Sequence, residues 1–367
     1  MMALDSGQGP FRPPSAAEEG ASKIREQKAA VRRQGRRARQ QLPAHLRRWK
    51  DERISQSVLA SERVAQASTV CLYWSLPEEV GTHSLIRHFI EEGKRVALPC
   101  HSTEEALRLV SDPERDLIAA RSPGLLEPSP QCPLVPPETV EAFLLPGVAF
   151  DVHGHRIGFG GGYFDRVLAQ RDPASFAAAL AYDCQMFREI PFHPGYDRPV
   201  EQIFTEENVY AFRRSEGATQ DAEATASLAQ RLAEPVARAF RLGLVGPLGV
   251  GKTTFIRGFL AQLGVRQAVT SPSFVLMSEY EGWLPVRHID LYRLGEQPPV
   301  EEDLQMFLET IFEFPGVVLV EWANFAHSWL PLWVPQVFLE FQDGGDRRRV
   351  ILETYSLQDL ALHRMFS

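Results

Sequence analysis

Short apolar runs alternate with stretches of helical period along most of the chain. In the N-terminal half, TVCLYWSL (69–76), RVALPC (95–100), AFLLPGVAF (142–150) and FAAALAYD (176–183) have the length and composition of strands. Between them, THSLIRHFIEEG (82–93) and YFDRVLAQR (163–171) repeat their apolar residues every three or four positions, as amphipathic helices do. Two more helices precede these. One spans 22–42 with a thin apolar face of Ile24, Ala30 and Val31 and ends at Pro43; the other spans 44–67. The C-terminal half has the same texture. A helix over 225–240, perturbed at Pro235, is followed by the strand RLGLVG (241–246) and by a loop and helix over 246–264. Strands SFVLMSEY (273–280), VRHIDLY (286–292), GVVLVEWA (316–323) and QVFLEFQD (336–343) follow. This alternation predicts a layered α/β architecture with a mainly parallel sheet in each half.

Two segments break the pattern. Residues 1–22 are small, polar and proline-bearing, which predicts a disordered tail. The run RRSEGATQDAEAT (213–225) is poor in large apolar residues, which predicts a linker over 213–220. The chain of 367 residues is thereby divided into domains 23–212 and 221–367, in keeping with its length.

Charge changes the picture locally. The net charge is −8, yet Lys23–Lys50 holds eleven Lys/Arg against one acid, Glu26. A basic helix on an acidic chain suggests a local anion site, with a solvated helix face as the competing reading. It has no interleaved aromatics of the kind that stack nucleic-acid bases. The four cysteines are scattered without a CxxC pair, which argues against a zinc or redox motif and fits a cytoplasmic protein. No apolar run approaches the length of a membrane span.

Candidate chemistry is clearest at GPLGVGKT. Gly246, Gly251, Lys252 and Thr253 satisfy GxxxxGK(S/T) between a strand and a helix. In such a loop the backbone N–H groups, here including those of Gly249, Val250 and Gly251, turn toward phosphate oxygens. Lys252 neutralises the β- and γ-phosphates, and Thr253 offers its hydroxyl to Mg²⁺. Two acids end nearby strands, Asp290 in HIDLYR and Glu321 in VVLVEW, and both are candidates for the Mg²⁺ shell or for orienting water. Glu321, which ends the more apolar strand, is the preferred direct ligand. No guanine-reading N-K-x-D is present, which favours ATP.

The sequential motifs DAEATASLAQRLA, GPLGVGKTTFIRGFLAQLG, SPSFVLMSEYEG, HIDLYRL and LVEWA resemble the bacterial tRNA threonylcarbamoyladenosine biosynthesis ATPase family over residues 215–345. The resemblance implies a P-loop NTPase domain that works with partner proteins in modifying adenosine 37 of tRNA, touching tRNA only indirectly. It implies that Lys252, Thr253 and Thr254 belong to the nucleotide site and that Ser271 and Ser273 sit in a switch-like loop. Asp290 and Glu321 are the implied acids, Trp322 flanks the site, and Thr225 lies in the segment lining the adenine side. Pro247 departs from the family, which has Asp there, and removes a backbone N–H.

A second glycine loop, RIGFGGGYFDR (156–166), fits neither GxGxxG nor GxxxxGK(S/T). Alone it reads as a hairpin or tight turn. Arg156 before it can chelate phosphate bidentately, and Asp165 after it can ligate Mg²⁺. YWSLPEEVGTHSLI, GKRVALP, GLLEP, LLPGVAFDVHGHRIGFGGGYFDRVL and DRPVEQIFTEE resemble 5-formyltetrahydrofolate cyclo-ligase over residues 23–207. The resemblance implies a three-layer, Rossmann-like α/β/α domain that uses ATP to cyclise 5-formyltetrahydrofolate to 5,10-methenyltetrahydrofolate. Phosphorylation of the formyl oxygen would make it a leaving group that N10 can displace.

By the same resemblance, Lys28, Arg32, Arg156, Gly158, the backbone of Gly160, Gly161 and Gly162, and Tyr163 bind ATP, and Asp165 is the Mg²⁺ carboxylate. Glu79 faces the formyl/N10 region; its alternative is an exposed loop glutamate. Trp74 and Phe150 either line the pteridine pocket or belong to the core. The two resemblances together predict a bifunctional chain. The rival expectation is that the C-terminal half is a regulatory nucleotide switch with little turnover of its own.

Overall fold

The structure is a computed structural model that describes residues 16–100, 106–120, 124–296, 307, 311–326, 329–342 and 347–366. It divides into two compact units. The first comprises the chain up to Asp151 with His155–Val200; the second comprises Val152–Gly154 with the chain from Glu201 onward.

The first unit opens with α1 (Ala16–Gln40), α2 (Ala44–Leu59) and α3 (Glu62–Gln66). Pro43, in extended backbone, separates α1 from α2. The single helix expected over 44–67 is interrupted at Ala60 and Ser61, which cap the two pieces. Then follow β1 (Thr69–Cys71), α4 (His83–Glu91), β2 (Arg95–Cys100), β3 (Ala106–Val110), α5 (Pro113–Asp116), β4 (Leu117–Ala119), β5 (Leu126–Pro128) and β6 (Leu134–Val135). The unit ends with β7 (Ala142–Leu145), β8 (Ala149–Asp151), β9 (Arg156–Ile157), α6 (Tyr163–Ala169), β10 (Phe176–Leu180) and β11 (Met186–Phe187).

Its main sheet runs β10-β7-β1-β2-β3-β6. The first four strands are parallel and the last two join antiparallel. Strands β7 and β10 are buried on both faces, which is why they read as unbroken apolar runs. AFLLPGVAF is not one strand. It splits at Pro146–Gly147 into β7 and β8, and β8 joins a small separate sheet, β11-β8-β9.

The second unit contains β12 (Gln202–Phe204), β13 (Val209–Thr219), α7 (Ala222–Ala233), β14 (Phe240–Val245), α8 (Lys252–Gln262), β15 (Met277–Glu281), β16 (Pro285–Asp290), α9 (Tyr292–Glu296), β17 (Val317–Glu321), β18 (Gln336–Gln342) and β19 (Arg347–Ser356). The strand order is β15-β16-β17-β14-β18-β19-β13-β12, with β16, β17, β14 and β18 mutually parallel. Helices α7 and α8 touch through Gly258, where a Cβ would lie 2.2 Å from the carbonyl oxygen of Ala226. Phe255, Ile256 and Phe259 of α8 then bury against Leu242, Leu244 and Leu319 of the sheet.

Two sequence expectations are corrected. The segment expected to be a linker, 213–220, is strand through Thr219, paired antiparallel with β19. Its stability comes from the ladder rather than from an apolar face: most of Phe212–Ala218 is exposed or half-buried, and Arg214 pairs with Glu353 at 3.2 Å across the strands. Of the expected tail, residues 1–15 lie outside the described residues and 16–22 are helical, in α1. The coarse expectation of a mixed α/β chain with two domains holds.

Candidate functional site

In the first unit, the site begins with how α1 is seated. Gly35 meets the backbone after β7: a Cβ there would lie 2.3 Å from the carbonyl oxygen of Val148. Glycine therefore lets the helix approach the strand pair that carries the glycine loop. Lys28, Arg32 and Arg39 recur at helical spacing. Arg32 Nε donates to the carbonyl of Gly158 at 2.8 Å, and Lys28 pairs with Asp197.

The loop itself turns through Gly160 at φ 115° and Gly162 at φ 66°, a region that favours glycine, and Gly162 caps α6. Arg156, the first residue of β9, is only 7% exposed. Its Nη1 and Nη2 donate to Asp165 Oδ1 at 3.1 and 3.0 Å, and the backbone N–H of Arg198 reaches the same oxygen at 3.2 Å. Burial pushes the guanidinium pKa down, against the opposing pull of Asp165 and Asp197. Its Nε is buried without a hydrogen-bond partner among the described residues.

That cavity has a volume of about 530 Å³ and is lined by Trp74, Glu79, Arg156, Gly161, Gly162 and Asp165, with Phe159 and Tyr163 among the aromatics. Glu79 is held by a tight loop: Leu76 N–H donates to its Oε2 at 3.0 Å. Burial raises its pKa; the Leu76 bond and Arg39 act in the opposite sense, and Glu78 adds to the rise. Glu79 is therefore not an exposed loop carboxylate. Trp74 stacks on His83 with centroids 3.9 Å apart. The Tyr163 hydroxyl donates to the carbonyl of Ala106 at 2.7 Å.

Phe150 does not line the cavity. It is 0% exposed, and a Cβ on Gly147 would lie 2.4 Å from its Cζ, so it is a core residue packed over Gly147. Two residues at this site were missed by sequence reasoning. Arg39 sits in a run of arginines that looks like a solvated face, and Phe159 interrupts a glycine run without any pattern of its own.

In the second unit, sheet register assembles the site. Leu244 of β14 pairs with Glu321 of β17, and Glu321 pairs with Asp290 of β16. Both acids and the loop after β14 thus emerge at one level, at the carboxyl ends of parallel strands, where open α/β sheets bind ligands. The loop turns through Gly246, Gly249 and Gly251, all with positive φ. At Gly246 a Cβ would lie 2.5 Å from the carbonyl of Leu339.

Lys252 is buried. Its Nζ donates to the carbonyls of Gly246 and Pro247 at 2.8 and 2.9 Å and lies 3.5 Å from the Trp322 ring centroid. Burial lowers its pKa; Glu321 and Asp290 pull the other way. Trp322 is held at φ 57°, a left-handed backbone that a tryptophan rarely adopts.

Thr253 Oγ1 donates to Glu321 Oε1 at 2.8 Å, and His288 Nε2 lies 3.0 Å from the same oxygen. Asp290 Oδ2 accepts from Ser273 at 2.8 Å and from Ser271, and Asp290 Oδ1 accepts from the N–H of Tyr292 at 2.9 Å. Thr253 and both acids supply oxygen donors of the type Mg²⁺ prefers. Among the described residues no group of three His, Cys, Asp or Glu forms a cation site by itself. Thr254 is half-buried in the first turn of α8, and Val250 is wholly buried, so that residue offers its backbone only.

Thr225, expected in the segment lining the adenine side, is wholly buried. Its hydroxyl donates to the carbonyl of Asp221 at 2.8 Å and lies 2.8 Å from Thr219 Oγ1. His288 was missed, although strand period two places it on the same face as Asp290.

Comparison with known proteins separates the two units. The model of the 5-formyltetrahydrofolate cyclo-ligase family matches residues 24–206, and that of threonylcarbamoyl adenosine biosynthesis protein TsaE matches residues 219–351. A tRNA threonylcarbamoyladenosine biosynthesis protein TsaE from Nostoc is 36% identical over 132 residues, covering 36% of this chain and 81% of the relative. A 5-formyltetrahydrofolate cyclo-ligase from Escherichia coli is 31% identical over 152 residues, covering 40% of this chain and 82% of the relative. A solved structure of 5,10-methenyltetrahydrofolate synthetase from Aquifex aeolicus is 31% identical, covers 50% of this chain and 91% of its own, and has a TM-score of 0.45.

Proposed function

We infer two activities for this chain, because residues 24–206 belong to the 5-formyltetrahydrofolate cyclo-ligase family and residues 219–351 belong to the TsaE family. The first is ATP-dependent cyclisation of 5-formyltetrahydrofolate to 5,10-methenyltetrahydrofolate. The formyl oxygen attacks the γ-phosphorus and ADP leaves; N10 then attacks the formyl carbon and inorganic phosphate leaves with the oxygen. Lys28, Arg32, Arg156 and the N–H groups of Gly160–Gly162 hold the triphosphate. Glu79 faces the N10 region, and Trp74 forms the apolar wall for the pteridine.

The observation that carries this reading is the convergence of Trp74, Glu79, Arg156, the glycine loop and Asp165 on one cavity. Purified protein with 5-formyltetrahydrofolate and Mg-ATP should form the ultraviolet-absorbing methenyl product. Arg156→Ala should abolish that rate, and an unchanged rate would remove the site assignment.

The second activity is ATP binding and hydrolysis in support of tRNA threonylcarbamoyladenosine formation, carried out with partner proteins and with tRNA contacted only through them. We read this unit as a P-loop NTPase and the first as a Rossmann-like layer. The register that sets Leu244, Glu321 and Asp290 level, together with the Thr253–Glu321 hydrogen bond, supports the former. Mg²⁺ bound with nucleotide supplies charge neutralisation at the phosphates. Asp165 in the first site, and Thr253, Glu321 and Asp290 in the second, are the residues that would hold it. We read the setting as cytoplasmic from the four scattered cysteines, Cys71, Cys100, Cys132 and Cys184, which make no CxxC pair; no described helix is long and apolar enough to cross a membrane.

A further inference from the structure

Arg39 is the least explained charge in the first unit. It is 2% exposed, although it lies in a helix whose other arginines are mostly at the surface. Its Nη1 is 3.8 Å from Glu79 Oε1 and its Nη2 is 3.6 Å from Glu78 Oε2. Its Cζ is 5.8 Å from the centroid of the Phe159 ring, and Arg36 stands 5.1 Å from the same ring. Its Nε is buried without a partner among the described residues.

Burying a cation with one donor unmet is costly, and an apolar residue would seat α1 as well. The distances to the two carboxylates exceed hydrogen-bonding range, so the interaction is a field rather than a clamp. One buried cation thus stands near both Glu79 and Phe159, which line the cavity. Phe159 is the exposed residue between Gly158 and Gly160 of the phosphate loop, and Glu79 is the acid on the folate side.

We propose that Arg39 is a positioning residue for the cyclo-ligase site, whose guanidinium, braced against Phe159, holds the Glu79 carboxylate electrostatically and links it to the glycine loop. The proposal rests on the cyclo-ligase reading of this unit. Other charged or titratable groups also face Glu79. Glu78 lies in its own loop, and Tyr73 follows β1. Tyr182, after β10, donates its hydroxyl to Asp51 of α2 at 2.8 Å, and the same oxygen lies 3.1 Å from the Glu79 carbonyl. Arg47 of α2 binds the neighbouring carbonyl of Pro77 at 2.9 Å. Of these, Arg39 is the cation that pulls the buried Glu79 back toward ionisation, against the dominant effect of burial.

The test uses the full chain and the pH profile of kcat/KM for 5-formyltetrahydrofolate at saturating Mg-ATP. Arginine does not titrate in the working range. Arg39→Gln should therefore move the limb governed by a neighbouring carboxylate upward by about one to three pH units. Arg39→Lys should keep that limb near its wild-type position, and Phe159→Leu should move it in the same direction as Arg39→Gln, but less. Loss of rate at every pH with the limb unmoved in Arg39→Gln would overturn the proposal and leave Arg39 as a seat for α1. Should Arg39→Gln not fold, an unmoved limb in Phe159→Leu overturns the link to the loop. Absence of methenyl product from the wild-type protein would instead overturn the cyclo-ligase reading.

Discussion

Gly35→Ala tests how α1 delivers its charges to the first site. The added Cβ would lie 2.3 Å from Val148 O, 3.1 Å from Val148 C and 3.3 Å from Ala149 Cβ. Two of these atoms are backbone and cannot rotate away, so the helix must back off by roughly 1 Å to restore ordinary contact. Two stability effects oppose each other. Alanine in a helix interior gains about 1 kcal/mol over glycine, and overpacking costs ~1–3 kcal/mol. The net loss is therefore about 0–2 kcal/mol, up to about 8 °C in Tm for a unit of this size.

Function should fall much further. The Arg32 bond to Gly158, now 2.8 Å, stretches beyond hydrogen-bonding range. A displacement of about 1 Å in a positioning element can cost ~100-fold in rate. The assay is methenyl product formation across a range of Mg-ATP concentrations, beside a thermal melt of the same sample. The expected result is a raised KM for ATP and a reduced kcat, with Tm lowered by no more than about 8 °C. An unchanged KM for ATP would refute the reasoning, because the contact would then not be what seats the basic residues on the nucleotide.

Three further outcomes are expected. Asp165→Ala strips the buried Arg156 fork of its carboxylate and should destabilise the first unit by about 3 kcal/mol, read as a lower midpoint in urea. Lys252→Ala, introduced beside Arg156→Ala so that only the second site can bind, should weaken binding of a fluorescent ATP analogue by more than about tenfold, ~1.4 kcal/mol; in the otherwise wild-type chain it should leave methenyl formation intact. The Asp359 carboxyl is pushed up to about 6 by burial, against the pull of Arg238. The native state therefore holds a proton that the unfolded chain releases, and stability falls as pH rises from about 4 to about 6. Asp359→Asn should flatten that slope and stabilise the chain at pH 7 by on the order of 2 kcal/mol, measured as denaturation midpoints at both ends of the window.

The second site was largely legible in the sequence because its chemistry lies in one contiguous loop and at the ends of two apolar strands. Glu321 and Asp290 follow recognisable runs, and sheet register then brings them together. The first site was legible at Arg156, Asp165 and Glu79, which all line the cavity. What stayed hidden has physical reasons. Strand β13 is polar and is stabilised by pairing with β19, so no apolar run announces it. Phe150 and Thr225 were expected near ligands, but burial depends on what a side chain meets across the fold: Gly147 in one case, Thr219 and the start of α7 in the other. Arg39 and His288 are polar residues whose partners lie far away in sequence, and local pattern carries no trace of such partners.

The alignment of Leu244, Glu321 and Asp290 across β14, β17 and β16 has a consequence for the life of the chain before it is active. Side chains alternate between the two faces of a sheet, so slipping one strand by a single residue turns its acid to the opposite side. A misaligned sheet could still bury valines and leucines, but it could not present both carboxylates beside Thr253. The constellation of Thr253, Glu321 and Asp290 thus depends on strand register as well as on burial of the apolar core.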